Sequence, residues 1–142
     1  MNVVLQIAMG SGLLILCGVL HVALAAHLIA FLRLSRPFEQ PSAQQGFFRL
    51  PVAILLAFVL SHTLHVYLWA TTVWAVGALP GYEAPIYFAL VTYTTLGYGD
   101  VTLDPAFRIF GAMASVTGIL MFGMTTAFLV GVFARALGAG QR

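Results

Sequence analysis

Long uncharged runs alternate with short charged segments along this chain. The uncharged runs are 1–32, 50–82, 84–99 and 109–134. About 20 apolar residues are enough to cross a lipid bilayer as an α-helix. The three longer runs therefore predict transmembrane helices over roughly 3–32, 50–76 and 106–134. The run 84–99 is too short to cross, which favours a re-entrant segment that enters the membrane and returns.

Prolines mark the expected helix starts. Proline is tolerated in the first turn, where its missing N–H would have no partner, and it occurs at three such places, at Pro51, Pro85 and Pro105. Glu83 or Ala84 would be the N-cap of a short helix starting near Pro85. Asp104 would be the N-cap of the last long helix, starting near Pro105.

Composition supports a lipid-embedded chain. Of the 142 residues, 61% are hydrophobic and 7% are charged, whereas soluble domains carry roughly a quarter charged residues. A soluble enzyme, a nucleic-acid binder and a disordered chain are therefore excluded, and a net charge of +2 is too small to indicate a polyanionic partner. The single cysteine, Cys17, excludes an intrachain disulfide.

The arginines predict the orientation in the membrane. Five of the six lie in the segment 33–49 or at the C-terminal end from Arg135 onward, while three of the four acids lie in 77–105. The positive-inside rule then places the loop 33–49 and the tail 136–142 in the cytoplasm, with the N-terminus and 77–105 outside. A cleaved signal peptide ending near Ala25 is an alternative, but it lacks a basic start and its apolar run continues past that residue.

The segment 84–100 carries the most specific pattern. Its first ten residues suit a short helix that ends at mid-membrane depth, where non-helical backbone is tolerated only when it is buried in protein or lines a water-filled cavity. Gly97 and Gly99 alternate with larger residues just afterwards. This spacing permits a backbone that alternates positive and negative φ and points successive carbonyls to one side. Four such strands would form rings of oxygens able to replace the hydration shell of a cation.

The run Thr94-Thr95-Leu96-Gly97-Tyr98-Gly99-Asp100 strongly resembles the selectivity-filter signature of potassium channels. The later run 118–127 is similar to the inner helix of bacterial proton-gated potassium channels. The resemblance covers roughly 50–135 as an ion-channel pore domain with outer helix, pore helix, filter and inner helix. The segment 1–32 adds an N-terminal transmembrane helix. The implied fold is an all-α membrane protein with three transmembrane helices, a re-entrant pore helix and a filter, assembled as a homotetramer.

The resemblance also implies roles for individual residues. Potassium ions would bind to backbone carbonyls, with the Thr95 hydroxyl contributing, along a filter formed by Thr95, Leu96, Gly97, Tyr98 and Gly99. The side chains of Leu96 and Tyr98 would point away from the axis and pack on the pore helix. Support for the filter would come from Thr94, Asp100 and Tyr87, with Tyr87 the candidate hydrogen-bond partner of Asp100. The cavity and gate would be formed by Gly118, Ile119, Phe122 and Thr126, with Gly118 as the bend.

Two positions depart from that pattern. Leu96 stands where valine is usual, and either residue supplies a backbone carbonyl, so selectivity is expected to survive. Val91 stands where proton-gated channels have a glutamate behind the filter, which puts their glutamate-linked inactivation in doubt here. The exposed acids Glu83, Asp100 and Asp104 could form a cation-concentrating rim, or simply a solvated surface.

All four histidines lie in the first two predicted helices. An antiparallel hairpin would bring Cys17 level with His62 and place His21 about one turn away, with His65 on the same face as His62. These side chains could bind a transition metal such as zinc or copper, act as a pH sensor, or hydrogen-bond between helices as neutral imidazoles. His27 could lie near the interface.

The sequence thus predicts a potassium-selective channel in the cell membrane that conducts passively, has no enzymatic activity and needs no organic cofactor. A weakly selective monovalent cation channel is one alternative. A histidine-rich membrane protein that binds a metal or haem is another. No helix carries the spaced arginines of a voltage sensor. The gating stimulus stays open between constitutive leak, pH, membrane tension and an unidentified regulatory partner.

Overall fold

The structure, a computed structural model, describes residues 1–35 and 43–139, with side chains described for 1–34 and 51–135. It contains four helices, α1 (Val3–Ser35), α2 (Ala43–Ala75), α3 (Glu83–Tyr93) and α4 (Arg108–Ala139). Within these ranges there is no β-strand. Three of the helices are long and apolar enough to cross a membrane. The predicted all-α class, with three spanning helices and one short helix, is confirmed.

The predicted loop between the first two spans is too long. Helix α1 continues to Ser35 and α2 already begins at Ala43, so only part of 33–49 lies between helices, and 36–42 lies outside the described residues. Pro51 is inside α2 rather than in its first turn, which corrects that prediction. Helix α4 likewise extends to Ala139 into the predicted tail 136–142, whose last three residues are also outside the described part.

The expected N-caps are wrong at both later helices. Helix α3 begins at Glu83, its N-cap position is Tyr82, and no side chain caps it there. Helix α4 begins at Arg108 instead of near Pro105. Asp104 Oδ1 accepts the N–H of Ala106 at 2.9 Å, so this carboxylate shapes the turn before α4 and is not its cap.

The N-terminus of α4 is capped from a distant part of the chain. Oε1 of Gln6, a side chain only 2% exposed, accepts the N–H groups of Ile109 at 3.0 Å and Phe110 at 3.3 Å. The first N–H groups of a helix have no partner within it. A side chain of α1 therefore supplies the acceptor that the residues next to α4 do not.

Helices α1 and α4 run parallel in one register. Gln6 meets Ile109, and Gly10 lies so close to Met113 that an added Cβ would overlap the Met113 side chain. Fifteen residues further along α1, His21 meets Thr125, so the pairing offset stays nearly constant. Helix α2 runs the opposite way and pairs His21 with Ser61.

Two buried clusters hold the four helices together. The larger includes Trp69, Tyr93, Phe110 and Cys17, and joins all four helices around the end of α3. The smaller contains Ile54, Phe58 and Val132 near the opposite end of the bundle. Many large apolar side chains point outward on α1, including Val4, Ile15 and Val19. Such a surface is stable in lipid because the surrounding chains are as apolar as the side chains.

Candidate functional site

The segment after α3 has an alternating backbone. Thr95, Gly97 and Gly99 have φ values of 62°, 56° and 77°, while the intervening residues do not have positive φ. L-residues disfavour this left-handed region by roughly 1–2 kcal/mol, whereas glycine does not. The alternation expected from the glycine spacing is confirmed, and Thr95 extends it by one residue. Thr95 is the only non-glycine residue in this conformation within the described residues.

The amides at the start of this segment turn back onto the end of α3. The N–H of Thr95 donates to the Thr92 carbonyl, and those of Leu96 and Gly97 donate to the Val91 carbonyl at 3.0 and 3.2 Å. Among the described residues, no hydrogen bond is accepted by the carbonyl oxygens of 95–98. The segment thus pairs its donors with the helix end and leaves a run of acceptors available.

Two large side chains of the segment are exposed in the single chain. Leu96 is 55% exposed and Tyr98 is 68% exposed. Neither is buried against α3 of its own chain, so their packing on the pore helix stays a prediction. Thr94 is anchored locally, since its hydroxyl donates to the Leu90 carbonyl at 2.8 Å.

The predicted contact between Tyr87 and Asp100 is confirmed. The Tyr87 hydroxyl donates to Asp100 Oδ2 at 2.6 Å, and the N–H of Val101 donates to Oδ1 at 3.0 Å. The hydrogen bond from Tyr87 is the main cause that holds the pKa of Asp100 below its ordinary value. The tie joins the middle of α3 to the residue just after the glycines, so both ends of the segment are fixed to α3.

Gly118 of α4 lies directly against the end of α3. A Cβ placed on Gly118 would overlap the Tyr93 carbonyl oxygen. No side chain other than hydrogen fits there. Helix α4 continues without interruption past this residue, so the structure gives Gly118 a close-packing role, and its role as a bend stays a prediction.

The other three predicted cavity residues differ in their surroundings. Ile119 is 61% exposed, and Thr126 is exposed with its hydroxyl donating to the Phe122 carbonyl. Phe122 instead stacks on His62 with ring centroids 4.4 Å apart, and meets Tyr93 edge-on. Phe122 is 40% exposed, so only part of its side chain could face the predicted cavity.

Three histidines gather where all four helices meet. The ring of His21 lies 5.3 Å from that of His62 and 5.6 Å from that of His65. The Tyr93 hydroxyl lies 2.9 Å from His62 Nδ1 and 3.1 Å from His65 Nδ1. Tyr93 is a site residue that the sequence pattern does not single out from the rest of the short helix. The feature that indicates it is its position immediately before the paired threonines.

The predicted transition-metal site is not formed. The described residues contain no group of three or more histidine, cysteine, aspartate or glutamate side chains arranged to hold a metal ion. The nitrogens of His21 and His62 face hydroxyl groups, and buried Cys17 belongs to the apolar cluster. His27 is separate, with Nδ1 donating to the Ala23 carbonyl of its own helix at 2.7 Å.

Comparison with known proteins agrees with this arrangement. A family model described as "Ion channel" matches residues 53–135, which is more than half of the chain. The chain is 38% identical over 60 residues to the A-type voltage-gated potassium channel KCND3 of human, rat and mouse. That alignment covers 42% of this chain but only 9% of each relative. No solved structure matches the chain.

A short helix, a glycine-alternating segment and two flanking spans thus define the pore-forming class of membrane proteins. The chain belongs to the ion channel family, with a pore domain of the potassium channel type. It is a multi-pass membrane protein whose family function is ion transport.

Proposed function

We propose that the chain is one subunit of a homotetrameric, potassium-selective channel. The observation that carries this proposal is the backbone of 95–99, with positive φ at alternate residues and carbonyl oxygens that accept no hydrogen bond among the described residues. A cation needs oxygen ligands on all sides to shed its water, and one strand supplies only one side. Four strands around an axis provide rings of carbonyls from Thr95, Leu96, Gly97 and Tyr98, with K⁺ as the transported ion.

The short helix supports cation entry below this filter. Helix α3 ends at Tyr93, immediately before the filter, and the C-terminal end of a helix carries a partial negative charge. Four such ends directed at one cavity stabilise a cation there. Ile119 and Thr126, both exposed in the single chain, line that cavity from α4.

The exposure of the filter side chains supports assembly. Leu96 and Tyr98 are large, more than half exposed, and attached to a backbone in a conformation that must be held in place. In the tetramer, the neighbouring subunit covers these side chains and fixes the filter. Transport is passive and involves no covalent step.

The proposed orientation places the filter near the outer face of the cell membrane. The segment 33–49 and the C-terminal end from Arg135 onward lie in the cytoplasm, because five of the six arginines are there. Glu83, Asp100 and Asp104, all exposed, then surround the outer entrance. Twelve carboxylates from four subunits would attract cations at low ionic strength.

The experiment is ion flux from purified protein in liposomes. With K⁺ inside and Na⁺ outside, a selective channel gives a reversal potential close to that of K⁺ and little Na⁺ flux. Equal permeability to both ions would establish the weakly selective cation channel instead. No flux of either ion from protein that is verified as a tetramer would contradict the proposal.

A further inference from the structure

Six side chains form one continuous hydrogen-bonded chain through the middle of the bundle, which we call the histidine chain. It joins all four helices and runs in the order His65, Tyr93, His62, Thr125, His21 and Ser61. From the Tyr93 hydroxyl it passes through His62, whose Nε2 lies 3.0 Å from Thr125 Oγ1. Thr125 Oγ1 then lies 3.1 Å from His21 Nε2, and His21 Nδ1 lies 3.3 Å from Ser61 Oγ.

Counting protons leaves four arrangements for the histidine chain. Each hydroxyl donates one proton and can accept two, and each neutral imidazole donates from one nitrogen and accepts at the other. All the hydrogen bonds can therefore run in one direction or in the other, and Tyr93 or Thr125 can instead accept from both neighbouring histidines. In three of the four arrangements His65 Nδ1–H donates to Tyr93. In the fourth, Ser61 donates first and Tyr93 donates to His65.

The free end of the histidine chain selects the direction at His65. His65 Nε2 and Trp69 Nε1 are buried and have no hydrogen-bond partner among the described residues. The two residues are one turn apart on α2 and therefore share a face. The indole N–H can only donate. When His65 Nδ1 donates to Tyr93, His65 Nε2 is an acceptor, so one water molecule could accept from Trp69 and donate to His65. The opposite direction would leave two buried donors on this face.

We propose that His65 and His62 are positioning residues that set the filter through the Tyr93 hydroxyl, with His65 Nδ1–H donating to Tyr93. This inference rests on the proposed function of the segment 95–99. Tyr93 is the last residue of α3, directly before the paired threonines, and its carbonyl oxygen is in contact with Gly118. Fixing its side chain from two sides holds the end of α3, and therefore the backbone to which the filter amides bind.

The direction at His65 is tested by ¹⁵N NMR of the histidine rings in the full-length protein in bilayers. The proposal places the proton of neutral His65 on Nδ1. Substitution of each histidine in turn assigns its signals. His27 is the internal reference, because its contact with a carbonyl requires a proton on Nδ1. A proton on Nε2 of His65, or a doubly protonated His65 ring at neutral pH, would overturn this direction.

The positioning role is tested by reversal potentials in liposomes. Tyr93→Phe removes only the hydroxyl, and we expect the K⁺/Na⁺ permeability ratio to fall by about fivefold, equivalent to one hydrogen bond. His65→Leu should lower the ratio similarly. His65→Asn should restore it, because the amide nitrogen takes the place of Nδ1 as donor to Tyr93.

The control is His27→Gln, which alters an exposed histidine outside the histidine chain and should leave the ratio unchanged. An unchanged ratio in folded, tetrameric Tyr93→Phe would contradict the positioning role. Loss of the ratio in His65→Asn as large as that in His65→Leu would also contradict it. A wild-type protein without selective flux would refute the proposed function, whereas the NMR result would still decide which nitrogen of His65 carries the proton.

Discussion

Gly118 and Tyr93 approach so closely that the carbonyl oxygen of Tyr93 occupies the position where a side chain would begin on Gly118. The contact joins the inner helix to the residue at which the pore helix ends. Because a backbone oxygen cannot rotate away as a flexible side chain can, any larger residue must push the two helices apart. The spacing of the inner helix from the filter is therefore set by a single glycine.

Substitution of Gly118 by Ala tests this spacing. Alanine favours a helix, but here it meets backbone, and overpacking typically costs about 1–3 kcal/mol. We expect Gly118→Ala to lower the free energy of unfolding in detergent by that amount. Gly131→Ala is the matched control in the same helix, because a Cβ added at Gly131 has no neighbour within 4 Å. That variant should gain about 0.5–1 kcal/mol. Equal effects of the two substitutions would refute the close contact.

Alanine at Gly97 or Gly99 should abolish K⁺ flux. Both glycines have positive φ and open space around the missing Cβ, so the cost arises from the backbone and not from crowding. The substitution moves a carbonyl off the filter axis in all four subunits. Gly77→Ala and Gly81→Ala are controls, since they carry the same strain in a loop outside the filter. Flux assays in liposomes compare the four variants. Full K⁺ flux from Gly97→Ala or Gly99→Ala would refute the filter assignment.

The tie between Tyr87 and Asp100 predicts a pH dependence at the outer end of the filter. The pKa of Asp100 is lowered mainly by the Tyr87 hydroxyl, so the hydrogen bond to the ionised carboxylate is fully formed above the ordinary carboxylate pKa of about 3.9. Its stabilising contribution is lost as the pH falls through the lowered pKa of Asp100. In Tyr87→Phe, we expect the pKa of Asp100 to rise toward its ordinary value. Carbon NMR titration of the Asp100 carboxyl measures this, and an unchanged pKa would show that the hydrogen bond is not made.

Gln6 predicts that α1 stabilises the start of α4. In Gln6→Leu the N–H groups of Ile109 and Phe110 lose their acceptor, which costs about 1–3 kcal/mol when a buried group is left unpaired. Hydrogen exchange at those two amides should become faster. Asn2→Ala is the control, because Asn2 Oδ1 accepts the N–H of Leu5 at the exposed start of α1. Its loss should cost about 1 kcal/mol and leave exchange at α4 unchanged.

The architecture could be predicted from sequence because crossing a bilayer depends on the length of uncharged runs. The re-entrant helix and the alternating φ values followed from run length and glycine spacing, which are also local properties. Helix ends were less predictable. Pro51 looked like a first-turn residue, but α2 begins earlier. Asp104 looked like an N-cap, but the acceptor for α4 comes from Gln6, and no local pattern indicates a partner so far away in the sequence.

The histidines show how much can be predicted from knowing which residues share a helix face. An antiparallel hairpin correctly brought His21 near His62 and His65. The hairpin includes only α1 and α2. It therefore could not show that the hydroxyl groups of Thr125 in α4 and Tyr93 in α3 form hydrogen bonds with the histidine ring nitrogens. Metal binding appeared reasonable from residue types alone. The direction in which each nitrogen points, which depends on all four helices together, decides against it.

The constant register between α1 and α4 has a mechanical consequence. Helices α1 and α4 are in contact from Gln6 to His21 in a constant register, so they move as one rigid body. If the inner helix tilts when the pore opens, the first helix must swing with it through the surrounding lipid. The work of opening then includes displacing acyl chains along the outer face of α1, so bilayer thickness contributes to the free energy of opening and bilayer viscosity to its rate.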